Sequence, residues 1–105
     1  MGNTLRNTAW FLIIRSSTED LLEVQLKAGQ NNIGRSADND IILQDHAASN
    51  QHAKIIFDQS TNKVSIRDLD STNGTFVNGK RVQDLLELQQ DDQIRMPPSV
   101  SGVVI

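Results

Sequence analysis

The chain has 105 residues, the length of one ordinary domain and enough to bury a single hydrophobic core. It contains no cysteine, which excludes disulfide frameworks and thiolate metal sites and leaves the redox compartment open. The net charge of −3 has the wrong sign for a domain whose partner is bulk nucleic acid.

No apolar run approaches the roughly 20 residues of a membrane-spanning helix. The longest such run, residues 9–14, lies between Arg6 and Arg15 and is predicted to be a buried strand. The Met1-Gly2 start lacks the Ser or Thr that a myristoylation motif requires, because Arg6 stands there. We recognise no secretory leader, so we expect an intracellular, cytoplasmic location and no membrane partner.

The chain predicts one domain at 9–105, preceded by a flexible polar segment at 1–8. Short runs rich in β-branched residues, separated by turn residues at close spacing, are typical of a β-sandwich or barrel. The predicted strands are Ala9–Arg15, Leu22–Ala28, Asn32–Gly34, Ile41–Leu43, His52–Asp58, Lys63–Asp68, Thr75–Val77, Lys80–Val82, Gln93–Met96 and Gly102–Ile105.

Local patterns support parts of this assignment. Apolar residues alternate with polar ones at Ala53, Ile55 and Phe57, as expected for a strand with one buried face. Asn78-Gly79 is a favoured pair for a two-residue hairpin turn, because both residues tolerate positive φ. The one helix candidate is Asp84–Leu88, which is too short to be stable alone.

Three short polar segments follow or precede predicted strands and could meet at one rim of the domain. They contain Arg35 after Gly34, Ser49-Asn50 before His52, and Thr72-Asn73 before Gly74. Taken alone, each segment has the composition of an ordinary turn. Together they offer one cation, hydroxyls and amides, which is a chemistry that binds phosphate.

Other site chemistries are less well supported. His52 near Ser49 invites a nucleophile-base interpretation, but the sequence shows neither a nucleophile elbow nor an oxyanion hole. His46 and His52 lack the closely spaced carboxylates that a metal site needs, so we expect no metal and no cofactor. A nucleic-acid-binding barrel would need basic and aromatic stacking surfaces, which an acidic chain with one Trp and three Phe does not provide.

Read in order, Gly-Arg, Ser-x-x-His and Ser-x-Asn-Gly-Thr-x-Val-Asn-Gly resemble the forkhead-associated (FHA) domain, from about Trp10 to the C-terminus. The resemblance implies an all-β fold, an eleven-stranded and mostly antiparallel β-sandwich with its binding loops at one end. It also implies a non-catalytic module that recognises phosphothreonine in an extended peptide, with no small-molecule substrate.

Carried over by position, the resemblance assigns two sets of residues. Those implied to contact the phosphopeptide are Arg35, Ser49, Asn50, Thr72 and Asn73, of which Asn73 would bond the peptide backbone. Those implied to shape or brace the loops are Gly34, His52, Gly74 and Asn78.

Two positions depart from the usual FHA pattern. Ala47 carries no charge where some members use a longer side chain to choose the ligand residue three positions after the phosphothreonine. Pro97-Pro98 stands after the penultimate strand, and because proline cannot donate to a ladder we expect a loop there. The alternative function is a structural or oligomerisation domain of the same fold that binds a partner without phosphate.

Overall fold

The computed structural model describes residues 9–15 and 21–105, which form two packed β-sheets. In chain order the strands are β1 (Phe11–Arg15), β2 (Leu21–Gln25), β3 (Gly29–Gly34), β4 (Ile41–Ile42), β5 (Ala53–Asp58), β6 (Lys63–Asp68), β7 (Phe76–Val77), β8 (Lys80–Arg81), β9 (Leu86–Leu88), β10 (Gln93–Met96) and β11 (Val100–Val104). These ranges contain no helix, and hence none that could cross a membrane. The predicted all-β class is confirmed, and the predicted flexible segment 1–8 lies outside the described residues.

One sheet has six strands in the order β2-β1-β11-β10-β7-β8, and the other has five in the order β4-β3-β5-β6-β9. Neighbouring strands pair antiparallel, while β3 and β4 are parallel. Because β4 and β9 end the five-stranded sheet and β2 and β8 end the other, four short strands form the open edges.

The core lies between the two sheets and follows the predicted alternation. On β5, Ala53, Ile55 and Phe57 are buried while the residues between them are partly exposed. Val64 and Ile66 repeat the pattern on β6, where each pairs directly with a buried β5 residue. Burial of these β-branched and aromatic side chains supplies the main stabilisation of the sandwich.

The helix candidate at Asp84–Leu88, too short to be stable alone, does not form a helix, and strand β9 (Leu86–Leu88) occupies its second half. Leu88 pairs with Val64 and Leu86 pairs with Ile66 on β6, and Leu88 is fully buried. Five residues cannot complete enough helical turns to offset nucleation, whereas the edge of β6 supplies backbone partners at once. Tertiary pairing therefore overrides the local helix propensity of Leu and Glu.

The predicted hairpin turn is confirmed, since β7 and β8 pair across Asn78 and Gly79, both at positive φ. The predicted loop at Pro97-Pro98 is also confirmed, as residues 97–99 form a turn before β11. Several strand ends differ by a few residues, most clearly β3, which begins at Gly29 because it pairs with β5 as far as Phe57.

Backbone hydrogen bonds bring three loops to one end of the five-stranded sheet. The β3–β4 loop (35–40) meets the β4–β5 loop (43–52) where the Arg35 amide donates to the Ser49 carbonyl over 3.0 Å. The His52 amide donates to Ile33 (2.8 Å), and the His52 carbonyl accepts from Leu69 (2.9 Å) at the start of the β6–β7 loop (69–75). The three polar segments with the predicted contact residues therefore meet at one end of the sheet, whereas Asn78 lies outside them on the β7–β8 turn.

Candidate functional site

Arg35 is the exposed cation at the junction of the three loops. Its Nε donates to the Ala48 carbonyl over 3.1 Å, and its backbone amide holds Ser49. A guanidinium fixed at Nε keeps its terminal amino groups as donors for an anion. The side chain is thus pre-oriented by the neighbouring loop, which lowers the entropy cost of binding a ligand.

Two hydroxyl groups from facing loops lie side by side. The Thr72 amide donates to Ser49 Oγ over 3.0 Å, and the two side-chain oxygens are 3.5 Å apart. Ser49 Oγ thus accepts from the Thr72 amide and donates to Thr72 Oγ1 over a long 3.5 Å bond, which a ligand oxygen at this point would replace. Thr72 is exposed and Ser49 is half-buried, so both face the surface where Arg35 emerges.

The two amide side chains of the predicted set have different surroundings. Asn73 Nδ2 donates to the Ala47 carbonyl over 3.2 Å, which ties the β6–β7 loop to the β4–β5 loop. Asn50 is exposed, and its carbonyl accepts from the Ser36 amide (3.3 Å). The structure therefore gathers all five candidate contact residues on the three loops.

His52 lies completely buried beneath these side chains. Its Nδ1 accepts from the Ser49 amide over 3.2 Å, and its Nε2 pairs with the Gly74 carbonyl over 2.9 Å. An acceptor at one nitrogen and a donor at the other define the neutral imidazole with its proton on Nε2. Both nitrogens are thus engaged by backbone, so neither is placed to take a proton from Ser49 Oγ, and the geometry gives no Ser-His nucleophile pair.

Glycine is required where the loops approach most closely. A Cβ on Gly34 would collide with the backbone oxygen of Asn50 and crowd Asn39 Nδ2 at 2.8 Å. Gly74 has φ +86, a left-handed conformation that side chains rarely adopt. Asn78 braces a different turn, since Nδ2 donates to Asp92 (2.9 Å) and Oδ1 accepts from the Gln93 amide (3.0 Å).

Sequence reasoning missed the structural roles of two polar residues that set the loops, the buried Asn39 and the half-buried Asp68. Asn39 Nδ2 donates to the carbonyls of Ser36 (2.9 Å) and Asn50 (2.7 Å), which joins the β3–β4 and β4–β5 loops. Its place in a run of polar residues after Arg35 was the only signal, and that run resembles any turn.

The second missed residue is Asp68, at the end of β6. Its carboxylate accepts from Ser71 Oγ (2.5 Å), Thr75 Oγ1 (2.7 Å) and the Ser71 amide (3.1 Å). Partial burial opposes ionisation, but these hydrogen bonds outweigh it and lower the pKa of Asp68. The ionised carboxylate therefore fixes the loop that carries Thr72 and Asn73.

Charge and ligand chemistry narrow what the site can do. In the part of the chain that the structure describes, no group of three or more His, Cys, Asp and Glu side chains could hold a metal ion. A fixed guanidinium beside two hydroxyls and two amides suits an oxygen-rich anion. The fold and these loops define a β-sandwich that presents a polar binding surface at one end.

Comparison with known proteins places the chain in a family. The FHA domain model matches residues 31–97, and the chain belongs to the FHA domain family. FHA domains are binding modules, and the solved structures similar to this chain include one in complex with a phosphopeptide and one from a study of phosphothreonine-dependent FHA domain interactions.

Three relatives illustrate the similarity. The transcriptional regulatory protein EmbR of Mycobacterium tuberculosis is 42% identical over 71 residues, or 68% of this chain and 18% of EmbR. Its structure with a low-affinity phosphopeptide has a TM-score of 0.74 at 28% identity, covering 90% of this chain and 24% of that one. The chain thus spans under a fifth of this relative's length.

The other two relatives are isolated FHA domains in solved structures. The FHA domain of CT664 from Chlamydia trachomatis has a TM-score of 0.84 at 27% identity, covering 93% of this chain and 97% of that one. An FHA domain studied for phosphothreonine-dependent interactions has a TM-score of 0.77 at 31% identity, covering 90% and 94%.

Proposed function

We propose that this domain is a non-catalytic reader of phosphothreonine in a partner protein. The observation that carries the proposal is the junction of the three loops, where one loop supplies the pre-oriented guanidinium of Arg35 and the other two supply the adjacent hydroxyls of Ser49 and Thr72. Arg35, Ser49 and Thr72 bind the phosphate, and Asn50 adds a further donor. Asn73 donates to the peptide backbone once it exchanges its contact with Ala47.

The phosphate site is tested by substituting Arg35. A charge-assisted bond to phosphate contributes roughly 1.5 to 3 kcal/mol, so Arg35→Ala is expected to weaken phosphopeptide binding about tenfold to a hundredfold or more. Arg35→Lys recovers only part of the loss, because an ammonium lacks the planar fork of donors. Glutamate in place of phosphothreonine fails to bind, since it offers one charge and two oxygens.

Titration calorimetry with phosphorylated and unphosphorylated versions of one peptide, alongside thermal melts, separates the outcomes. Arg15→Ala is the matched control. Arg15 is an exposed arginine on β1, and β1 pairs with β2 and β11 rather than with any of the three loops. If Arg35→Ala melts normally and binds the phosphopeptide as wild type does, the phosphate site lies elsewhere. Equal affinity for both versions of the peptide would favour the alternative, a structural module that binds without phosphate.

The proposal also includes a preference for phosphothreonine over phosphoserine in the bound peptide. The family resemblance implies a small pocket for the threonine methyl, and one buried methyl contributes on the order of 1 kcal/mol. The β-branch also favours the extended backbone of a bound peptide. We therefore expect a phosphothreonine peptide to bind about fivefold more tightly than its phosphoserine twin. Indistinguishable dissociation constants for the pair would remove this part of the proposal.

A further inference from the structure

A surface cavity of about 630 Å³ lies directly beside the proposed phosphate site. Arg35 and Ala37 of the β3–β4 loop form part of its wall, and the rest comes from β4 and the start of the β4–β5 loop, including Ile42, Asp45 and His46. Because one guanidinium borders both the phosphate site and the cavity, a peptide anchored at Arg35 has neighbouring residues within reach of it. The phosphate contacts described above do not use this cavity.

Asp45 is the unexplained group in the wall. The residue is 8% exposed, and its Oδ1 accepts from the Ala47 amide over 2.9 Å. Its Oδ2 is buried and has no hydrogen-bond partner among the described residues. A buried acceptor without a donor costs free energy, and a carboxylate costs more than a neutral group. Because Oδ2 is closed to solvent, a ligand donor would recover that cost only after the Asp45 side chain turns toward the cavity.

Part of the lining is apolar. Ile42 lies on the edge strand β4 and is 40% exposed, which makes it one of the few large apolar side chains on the surface of the described chain. Leu43 next to it is buried and also lines the cavity. A side chain with a long methylene stem and a charged end fits such a cavity, because the stem covers apolar surface while the end reaches a polar partner.

The net charge around the cavity determines whether the charged end of a bound side chain is positive or negative. A bound phosphate brings about −1.5 to −2 charges to Arg35, which carries +1, and Asp45 adds −1. With His46 counted as neutral, the cavity and phosphate together therefore carry about −1.5 to −2. A second acidic side chain would be repelled there, and a cation would be attracted.

We propose that this cavity is a specificity subsite that takes a lysine or arginine side chain of the phosphopeptide, with Asp45 as its acceptor. The inference rests on the proposed function, since the peptide must be anchored by its phosphate at Arg35. It gives the domain a preference for basic residues near the phosphothreonine, a selectivity that Ala47 does not provide.

The test uses phosphothreonine peptides in which each flanking position in turn is lysine, alanine or glutamate. At one flanking position, the lysine peptide is expected to bind the wild-type domain about fivefold to tenfold more tightly than the alanine peptide does. The glutamate peptide should bind more weakly than the alanine peptide. Asp45→Asn keeps the acceptor for Ala47 but removes the charge. It should reduce the lysine advantage to less than about twofold while the alanine peptide binds as before.

Glu23→Gln is the matched control for general attraction between basic peptides and an acidic domain. It removes the same charge from exposed β2, which lies in the other sheet. It should leave the lysine advantage unchanged, and an equal loss in both variants would overturn the proposal. A lysine advantage that survives Asp45→Asn would also overturn the proposal. So would a peptide that binds but shows no lysine advantage at any flanking position.

A second variant keeps the proposal testable if Asp45→Asn does not fold. His46 is exposed, so His46→Lys should melt as wild type does and place a cation in the same cavity. The lysine peptide should then lose its advantage, and glutamate should bind at least as well as lysine. An unchanged ranking contradicts the subsite alone, whereas failure of every phosphopeptide to bind contradicts the proposed function.

Discussion

A single buried imidazole connects the two loops that carry most of the proposed contacts. His52 can do this because its ring has an acceptor on one edge and a donor on the other, which match the Ser49 amide and the Gly74 carbonyl. Removing the ring would leave both backbone groups buried without partners. The loop geometry therefore depends on a residue that need not touch the ligand.

We expect His52→Ala to lower the free energy of unfolding by about 1 to 3 kcal/mol for each backbone group that it leaves unpaired. Phosphopeptide affinity should fall as well, because the loop that holds Ser49 loosens. Denaturant unfolding and peptide titration measure the two effects. His46→Ala is the control, since this histidine is exposed and should change stability little. Unchanged melting together with lost binding would instead make His52 a direct ligand contact.

At this scale the sequence predicts the candidate site by residue type and spacing but not the hydrogen-bond network beneath it. Arg35 and Thr72 were recognisable because small motifs at fixed spacing recur in the FHA family. Asn39 and Asp68 were not, because their roles depend on which carbonyls and hydroxyls the fold brings within 3 Å of them. A polar residue in a turn has the same local pattern whether it is buried or exposed.

Strand β9 shows why element type was harder to predict than element position. Residues 84–88 contain Leu and Glu, which favour a helix locally, and their strand character arises only from pairing with β6, about 20 residues earlier in the chain. By contrast, β5 and β6 alternate clearly, and each was predicted to within one residue of its bounds. The elements that can be predicted are the strands in which apolar and polar residues alternate, because that alternation reflects one buried face.

The β7–β8 turn gives a prediction at the scale of the element. Asn78 has φ +50 and bonds to both Asp92 and Gln93. Asn78→Ala loses these bonds and places at φ +50 a residue that tolerates the left-handed region less well than asparagine does, so we expect a loss of about 2 to 4 kcal/mol. Asn78→Gly loses the bonds but tolerates the φ value, and should cost about 1 kcal/mol less.

Thermal or denaturant unfolding of both Asn78 variants measures these differences. Equal destabilisation by Ala and Gly would show that the turn is held by the side-chain bonds alone. Because Asn78 lies outside the three loops, phosphopeptide affinity should be close to that of wild type for both folded variants.

At the scale of the whole molecule, the stabilising carboxylates of the domain and the phosphate of the ligand change charge in different ranges of pH. Hydrogen bonds hold the pKa of Asp38 and Asp58 below the ordinary value of an aspartate, and at Asp68, where burial raises the pKa, the hydrogen bonds outweigh the burial and lower it as well. A carboxyl with a lowered pKa in the folded state stabilises the fold above its unfolded pKa, and this contribution is lost as pH falls through the folded value. These carboxylates thus stay ionised well above that value, and their contribution to stability should be constant at mildly acidic and neutral pH.

Phosphate titrates in a different range, which separates ligand binding from domain stability. Its second pKa is near 6, so between about pH 7.5 and pH 5.5 the peptide passes from dianion to monoanion and offers Arg35 less charge. We expect affinity to fall several-fold over this interval, while the contribution of the three aspartates to the melting temperature stays constant. Calorimetric titrations and melts at matched pH values check both statements. A flat binding profile would mean that the domain does not depend on the dianion, and would strengthen the phosphate-independent alternative. A parallel fall in melting temperature would instead assign the loss of binding to unfolding of the loops.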